Sequence, residues 1–504
     1  MMQKNHVAII DIGSNAVRLV VFNELNRAPI KLHAERDICG LGKGLQETGH
    51  LNPDGVKRAL DSLARFSGIL SAMRITNVRA VATAAMRDAS DGPDFMAKVR
   101  DEFGLEIEVI TGEDEARLSA MGVIASHGKI TGIIGDFGGG SLELAAVEEG
   151  KIQEHVTLPL GALRILSHKT FEARAAYIQE HLATTDILKK YRKHPLYILG
   201  GAWRTLAKAH MYMEDYPVFI LDHYKISGAK AAQFAGELSK RTEKSLEEMA
   251  GVIKRRASDM PAGAQVLNAV LSDLKPKELI FTATGLREGL LYEQLAPATR
   301  AMDPLLASCR DIALKTSRFA DDKELLALGK WLMPLFEEQG EANEDFERLV
   351  KAAALLSDFG WYEHEDHRAN HAFLRILRLP LYGLDHKARA MMALAVYVRY
   401  RGYLRQSRRT MSDMREVTKD AQAILTQKEI NQAVTIGLAL ELAYSLTAGA
   451  LNLLPKVDLS VSSDAVTLCF AGRTAAMRGD IVKGKLEALA KRVKRKAEIT
   501  EENP

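Results

Sequence analysis

The sequence contains two short glycine-rich segments whose composition is typical of phosphate-binding turns. Their residues are Gly13, Ser14 and Asn15 in the first, and Gly138, Gly139, Gly140 and Ser141 in the second. A glycine-rich turn between two strands directs successive backbone N–H groups towards one concave point, where phosphate oxygens bind without a cationic side chain. A tight hairpin turn also needs glycine, but three consecutive glycines exceed that need. The pattern predicts two phosphate-binding loops.

An aspartate precedes each loop, at the end of an apolar run. These residues are Asp11 and Asp136. A charged side chain in such a place is costly unless it has a partner. Magnesium, held by one or two carboxylates together with phosphate oxygens and water, is a suitable partner. Either aspartate alone is explained equally well as a turn cap, but the pair beside matched glycine loops favours a metal site.

A third polar segment, residues 111–118, follows a predicted strand and opens a predicted helix. Thr111 and Asp114 have the spacing of a capping box, and acidic residues are favoured at a helix N-terminus. Three consecutive carboxylates, in Glu113, Asp114 and Glu115, are more than capping needs. A glutamate here can take a proton from a water molecule that attacks phosphorus, provided that the water lies within hydrogen-bonding reach.

The elements that position these residues follow a mixed α/β order. Residues 7–22 and 132–147 share a plan of strand, turn and strand, which is the one internal similarity in the sequence and predicts two related lobes. A helix over 53–73 and short strands at 78–82 and 106–110 lie between them.

The pattern of apolar residues changes after about residue 303. Apolar residues then recur at helical spacing to about residue 454. Beyond that point an alternating pattern around Ser463 and Asp464 predicts a hairpin, followed by a basic helix that ends at KRVKRK. We therefore predict four domains: an N-terminal lobe (1–125), a second lobe (126–303), a helical domain (304–454) and a C-terminal appendix (455–504).

The composition limits the class of protein. The chain has 504 residues, of which 47% are hydrophobic, and a net charge of only +3. These values are typical of a globular protein and give no sign of a nucleic-acid or membrane partner. The apolar stretch near the N-terminus is too short for a signal peptide, residues 432–454 are interrupted by Glu441, and three scattered cysteines suit a reducing compartment. We expect a cytoplasmic protein.

Five motifs, in order, resemble those of the exopolyphosphatase and guanosine pentaphosphate phosphohydrolase family. They read DIGSNAVRL, ATAAMRDA, TGEDEARLSAMGV, GDFGGGSLEL and GLREGLL. The resemblance implies an α/β fold of two actin-like lobes with a cleft between them, an all-helical HD-like domain and a small C-terminal α+β appendix. It also implies a homodimer.

The resemblance assigns roles to individual residues. It implies that Glu115 is the general base, that Arg87 steadies substrate phosphate, and that Asp136 and Glu143 lie near a magnesium ion, with Asp11 as the matching carboxylate of the first lobe. Two positions depart from the family's usual pattern, Ala16 and Phe137. Neither removes a backbone donor, so they bear on substrate fit more than on the reaction.

The helical region departs from a working HD phosphohydrolase. Ser357 stands where the histidine of the His-Asp ligand pair is expected. His364, His367 and His371 lie nearby, and the last two have i,i+4 spacing, but packing or substrate contact is the better interpretation than a second metal site.

One basic run interleaves arginine with tyrosine. The arginines are Arg399, Arg401, Arg405, Arg408 and Arg409. Such a run is ordinarily a solvated helix face, but guanidinium groups match phosphate geometry well. We interpret the run as a track for a polyanion, and the basic cluster at residues 491–496 as a solvated face.

These observations predict an exopolyphosphatase that removes terminal phosphate from inorganic polyphosphate by magnesium-assisted attack of a glutamate-activated water. The alternative substrate is guanosine pentaphosphate. Alternatives of another class are a non-hydrolytic actin-like nucleotide-binding protein and a kinase of the same superfamily.

Overall fold

The computed structural model describes residues 5–252, 257–318, 321–401 and 408–501. The chain divides into two compact units, Met1–Met302 and Asp303–Pro504. Each unit has its own sheets and its own core.

The first sheet of the first unit has five strands in the order β3-β2-β1-β4-β5. Its strands are β1 (Val7–Ile12), β2 (Ala16–Phe22), β3 (Lys31–Ile38), β4 (Asn77–Ala82) and β5 (Ile107–Val109). The first three strands are antiparallel neighbours, and β4 and β5 continue the sheet in parallel from β1. The strands β1 and β2 are almost wholly buried, since apart from Asp11 and Arg18 all of their residues are apolar.

The second sheet repeats this topology. Its strands are β6 (Gly132–Phe137), β7 (Leu142–Glu148), β8 (Lys151–Leu158), β9 (Leu196–Gly200), β10 (Tyr224–Ser227) and β11 (Glu278–Phe281). The order is β10-β11-β9-β6-β7-β8, with β6, β7 and β8 antiparallel and β9 and β11 parallel to β6. The strands β6, β7, β8, β9 and β11 thus correspond to β1–β5. The duplication confirms the predicted two-lobed actin-like fold.

Helices cover the sheets of the first unit. Their bounds are α1 (Leu45–Thr48), α2 (Pro53–Ala72), α3 (Ala84–Asp88), α4 (Gly92–Phe103), α5 (Gly112–His127), α6 (Ala162–Ser167), α7 (Phe171–Leu182), α8 (Ile187–Lys190), α9 (Gly201–Met213), α10 (Gly228–Ser239), α11 (Glu243–Glu247), α12 (Met260–Leu274), α13 (Leu286–Gln294) and α14 (Pro297–Arg300). Each lobe encloses its own apolar cluster. The predicted helix at 53–73 is α2, which begins at Pro53 because Asn52 caps it.

The helices α5 and α13 pack in close contact through two glycines. A Cβ at Gly122 would overlap the carbonyl group of Gly285, and one at Gly289 would overlap the carbonyl oxygen of Leu118. Only glycine lets the two backbones approach this closely. This contact fixes α5, which carries the predicted base at its start, against the segment that follows β11.

The second unit is mainly helical. Its helices are α15 (Pro304–Thr316), α16 (Asp322–Trp331), α17 (Pro334–Glu337), α18 (Glu344–Leu355), α19 (Arg368–Arg378), α20 (His386–Arg401), α21 (Arg408–Ile424), α22 (Gln427–Thr447) and α23 (Asp480–Arg492), with 3-10 turns at Leu451–Lys456 and Gly472–Met477. A small sheet is formed by β12 (Val457–Val461), β13 (Ala465–Phe470) and β14 (Lys496–Glu501). Glu441, in the apolar helix α22, pairs with Lys485. In the described part of the chain, no helix combines the length and the apolarity that crossing a membrane requires.

One predicted boundary is corrected, and several strands were not predicted. The hairpin around Ser463 and Asp464 forms, but the basic helix ends at Arg492 and not at residue 496. Lys496 instead begins β14, a strand parallel to β13. This strand was not predicted because its sequence is rich in charged residues. The edge strands β3 and β8 were likewise not predicted, because their many polar residues lack the apolar pattern of buried strands.

Gly289→Ala is expected to lower the free energy of unfolding by about 1–3 kcal/mol, because the added methyl group overpacks the contact between α5 and α13. Urea denaturation of the full chain would measure it. Gly68→Ala is the matched control: Gly68 is exposed in α2, and no atom lies within 4 Å of an added Cβ. That variant is expected to gain about 0.5–1 kcal/mol. Equal effects of the two substitutions would contradict the packing argument.

Candidate functional site

The two predicted phosphate-binding loops have the same backbone geometry. In the first, the N–H of Gly13 donates to the carbonyl of Ala16 at 3.0 Å, and in the second the N–H of Gly138 donates to the carbonyl of Ser141 at 3.0 Å. The loops lie against each other, since an added Cβ at Gly140 would lie 3.1 Å from the Ser14 hydroxyl oxygen. They therefore meet at one place in the first unit.

The carbonyl groups of both loops are held by neighbouring segments. Those of Ser14 and Asn15 accept from backbone N–H groups of residues 39–42, and those of Gly138 and Gly139 accept from the start of α6. The Gly140 carbonyl accepts from Arg164 at 2.9 Å. Among the described residues, the loop N–H groups of Ser14, Asn15, Gly139 and Gly140 have no protein acceptor. This arrangement suits an anion in the cleft that these loops line.

Three predicted metal-ligating carboxylates lie on the strands next to the loops. Asp11 and Asp136 occupy the fifth position of β1 and of β6, and Glu143 is the direct partner of Asp136 across β6 and β7. Asp11 and Glu143 are 8% and 3% exposed. Burial raises the pKa of Asp136, although the Ser119 hydroxyl donates to this carboxylate at 2.8 Å.

The carboxylate of Glu115 faces the same cleft. Arg87 Nη1 contacts Glu115 Oε2 at 3.1 Å and also donates to the Ile110 carbonyl at 2.7 Å, which fixes its position. Burial raises the pKa of Glu115 to about 7; Arg87 opposes this rise, and the negative charges of Asp136 and Asp11 add to it. A carboxylate with a pKa near neutrality is suited to act as a base.

The structure separates the three consecutive carboxylates at the start of α5. Thr111 caps the helix by accepting from the Asp114 N–H at 3.0 Å, and Asp114 also pairs with Arg117 at 3.1 Å. The side chain of Glu113 is exposed. Capping therefore accounts for Asp114, and Glu115 is the carboxylate that lines the cleft.

Four arginines that were not predicted from the sequence also line the cleft, and together they are called the arginine wall. They are Arg18, Arg36, Arg204 and Arg287. Arg18 and Arg36 are direct partners across β2 and β3, and the Asp11 carboxylate, 3.5 Å from Arg18, balances one of these two like charges.

The electrostatics of this arginine wall favour an anion. Burial lowers the pKa of Arg204, and the like charge of Arg287 lowers it further. Buried guanidinium nitrogens of Arg36 and Arg287 have no hydrogen-bond acceptor among the described residues. Buried donors of this kind are expected to bind a ligand. A signal was present in the sequence, since Arg18 interrupts the apolar run of β2.

The structure thus brings together the predicted residues of the first unit. The cleft is lined by both loops, Asp11, Asp136 and Glu115, with Glu143 and Arg87 behind them through the contacts above. The predicted polyanion track belongs to the second unit. Arg405 lies outside the described residues, and the side chains of Arg408 and Arg409 are also undescribed, although both residues belong to α21.

Arg399 has a different role from the predicted one. It is 8% exposed, its guanidinium group donates to Asp358 at 3.2 Å, and it lies 4.0 Å from the ring centre of Tyr444. Arg318 holds the same carboxylate through both of its oxygens. Arg399 therefore stabilises the core of the second unit and does not face a polymer, whereas Arg401 is partly exposed at the end of α20.

The same cluster explains the degenerate HD motif. Asp358, the remaining acidic residue of the motif, is only 2% exposed and is neutralised by two arginines, while the Ser357 hydroxyl lies 3.0 Å from that of Tyr444. Guanidinium groups occupy the surroundings in which a metal ion would otherwise balance the aspartate. His371, in the nearby surface group, pairs with Glu363 at 2.9 Å.

The donor set of the cleft fits a hard divalent cation. Glu143 Oε1 is buried and has no hydrogen-bond donor among the described residues. Burial raises the pKa of Glu143 well above its usual value, and the charges of Glu115 and Asp136 raise it further. Carboxylate oxygens are the ligands that magnesium prefers, and Asp11, Asp136 and Glu143 supply them on the strands next to the loops.

Comparisons with known proteins agree with this geometry. The model of the Ppx/GppA phosphatase family matches residues 20–298, and that of the exopolyphosphatase C-terminal region matches residues 305–500. Retrograde regulation protein 2 of Saccharomyces cerevisiae is 27% identical over 473 residues, which cover 86% of this chain and 79% of the yeast protein.

Solved structures resemble the first part of the chain. The Ppx/GppA family member of Aquifex aeolicus has 27% identity and a TM-score of 0.50, covering 58% of this chain and 100% of that one. An exopolyphosphatase from Cytophaga hutchinsonii has 24% identity and a TM-score of 0.53, covering 57% of this chain and 97% of that one. The second likeness concerns the fold alone.

The pH dependence of phosphate release tests Glu115. Because a base must be ionised, kcat/KM is expected to rise with pH up to about 7, the pKa of Glu115. Glu115→Gln is expected to lose this acidic limb together with most activity. Glu113→Gln makes the same chemical change at an exposed position two residues away and should keep the parent profile. If the residual activity of Glu115→Gln still rose with pH as in the parent, the titrating group would be a residue other than Glu115.

Thermal unfolding with and without magnesium tests Glu143. The pKa of Glu143 is raised in the folded protein, so above pH 4.5, its ordinary pKa, the folded state binds more protons than the unfolded state. The stability of the protein therefore falls as the pH rises above 4.5. At neutral pH we therefore expect Glu143→Gln to raise Tm in a chelator and to reduce the rise in Tm on adding magnesium.

The control for that measurement is Glu148→Gln, an exposed glutamate at the end of the same strand. It should respond to magnesium as the parent does. If Glu143→Gln gains as much stability from magnesium as the parent, Glu143 is not a ligand.

Proposed function

This chain belongs to the Ppx/GppA phosphatase family, and on that premise we propose that it is an exopolyphosphatase that removes the terminal phosphate of inorganic polyphosphate. The observation that carries the proposal is the pairing, in one cleft, of a carboxylate base with two loops of open N–H groups and a wall of arginines. Such a cleft is suited to a substrate that carries negative charge well beyond the phosphoryl group that reacts.

The terminal phosphoryl group binds at the two loops in this mechanism. The N–H groups of Ser14, Asn15, Gly139 and Gly140 donate to its non-bridging oxygens, and these donors are already in place because the loop carbonyls are bound elsewhere. Preorganised donors of this kind stabilise the charge on a transferring phosphoryl group.

Glu115 orients and deprotonates the attacking water. Arg87 holds Oε2 of Glu115, so Oε1 is the oxygen available to accept the proton. The water oxygen forms a bond to phosphorus as the bond to the bridging oxygen breaks, and the shortened polyphosphate leaves with that oxygen. Asp11, Asp136 and Glu143 would hold magnesium, which when bound neutralises charge on the phosphate oxygens.

The extent of the arginine wall supports a polymeric substrate. Arg18, Arg36, Arg204 and Arg287 also line a second groove, which extends to Lys208. A substrate with only one or two phosphates would leave this groove empty. A chain of phosphates would neutralise the guanidinium groups in turn, including that of Arg36, whose buried nitrogens have no hydrogen-bond acceptor among the described residues.

Phosphate release from long polyphosphate, short polyphosphate, guanosine pentaphosphate and ATP tests the proposal. We expect the highest kcat/KM for long polyphosphate, and a loss of roughly 10²- to 10⁴-fold in turnover for Glu115→Gln. A preference for guanosine pentaphosphate would favour the alternative substrate. No release above that of Glu115→Gln from any substrate would indicate a non-hydrolytic protein.

The groove is tested by Arg36→Gln. This variant is expected to raise KM for long polyphosphate and to weaken the salt dependence of binding, since one guanidinium contact is lost. Turnover at saturation should change little, because Arg36 does not contact Glu115. Arg100→Gln, on the exposed face of α4, is the control. Equal KM values in the parent and in Arg36→Gln would place the polymer elsewhere.

A further inference from the structure

Two histidines and an aspartate converge in the first unit, apart from the carboxylates of the cleft. His127 is the last residue of α5, and Asp222 and His223 immediately precede β10. His127 is twelve positions after Glu115 on the same helix, which is about 18 Å along its axis. The group is therefore distinct from the candidate catalytic site and independent of the function proposed above.

The ligand atoms of the three side chains face one another. His127 Nε2 lies 3.5 Å from Asp222 Oδ1, and His223 Nε2 lies 3.9 Å from Asp222 Oδ2. One nitrogen or oxygen from each residue lies within 4.8 Å of the others. The ligands of a tetrahedral zinc ion, at about 2.0–2.2 Å from the metal, are separated by about 3.3 Å. A nitrogen lone pair lies in the plane of its ring, and the two rings are stacked, so both imidazoles would have to turn to direct a nitrogen at one ion.

The surroundings hold these ligands in place. The imidazole rings of His127 and His223 stack at 3.7 Å, and the ring of Tyr197 lies edge-on to His127 at 5.6 Å. Asp222 Oδ1 accepts from the Ala283 N–H at 2.8 Å. The side chain of His127 is only 2% exposed. Outer contacts of this kind orient metal ligands and contribute to affinity.

We propose that His127, Asp222 and His223 bind a divalent transition metal ion of the zinc class. Two imidazole nitrogens with one carboxylate oxygen suit zinc, and they do not suit magnesium or calcium, which prefer oxygen ligands throughout. Three protein ligands leave a fourth position for water.

The bound ion would connect two segments that shape the cleft. Asp222 is hydrogen-bonded to Ala283, and Arg204, which lines the cleft, donates to the carbonyl groups of Thr282 and Ala283. The ion therefore joins the end of α5 to the segment before β10, which is hydrogen-bonded in turn to Ala283, between β11 and α13. Its role is structural: it stabilises the first unit and leaves the chemistry at Glu115 to the cleft.

Zinc titration of the full chain tests the site, in excess magnesium so that the cleft carboxylates are saturated. Calorimetry is expected to give one zinc bound per chain with a rise in Tm. His127→Gln is expected to weaken zinc binding by at least about 100-fold, since it removes a direct ligand. His371→Gln is the control, because it removes an exposed imidazole spaced i,i+4 from His367. It should bind zinc as the parent does.

Cobalt in place of zinc gives a readout that does not depend on stability. The parent should show the visible absorption of tetrahedral cobalt with nitrogen ligands, and His127→Gln and His223→Gln should lose it while keeping the parent's circular dichroism and its Tm in chelator. If both variants misfold, the parent spectrum decides alone. Absence of that spectrum in the parent, or zinc affinity unchanged in a folded His127→Gln, would overturn the proposal and leave a histidine–aspartate ion pair.

Discussion

Four carboxylates lie in or directly behind one cleft, and the rest of the first unit is arranged around the repulsion between them. Asp11, Asp136, Glu143 and Glu115 each need opposite charge nearby or lose their ionised form. Arg87 satisfies part of this need for Glu115, whereas Glu143 has a buried oxygen without a donor among the described residues. Burial, with a smaller contribution from the charges of Asp136 and Asp11, raises the pKa of Glu115 to about 7. A buried acidic group of this kind costs stability, and the shifted pKa is what suits Glu115 to act as a base.

The duplicated sheet topology is what brings these groups together. Each lobe places an aspartate at the same position of its first strand and a glycine loop directly after it. The lobes then differ at the partner strand, where Arg18 opposes Asp11 but Glu143 opposes Asp136. One duplicated hairpin thus supplies a cationic wall, and the other an additional carboxylate. Because of this asymmetry, the surroundings of the two similar loops differ in charge.

The second unit contains a buried charge cluster around Asp358. Asp358 is buried, and it forms ion pairs with Arg318, which precedes it in the sequence, and with Arg399, which follows it. Removing either arginine would leave a buried carboxylate only partly compensated, which is costlier than replacing the whole group. The helical unit therefore retains the acidic residue of the motif as part of its core and not as a metal ligand.

The sequence by itself determined the two lobes, the loops and the aspartates, because each depends on local pattern: apolar runs, glycine turns and a polar residue at a strand end. The tertiary structure decided which carboxylate of residues 113–115 faces the cleft, since Asp114 is used in capping. It alone assembled Arg36, Arg204 and Arg287, which come from three distant elements. It also turned Arg399 inward, towards Asp358. The sequence shows which side chains are charged, and its periodicity predicts the face of the helix or strand on which each one lies. The residue that each charged side chain pairs with depends on contacts between segments far apart in sequence.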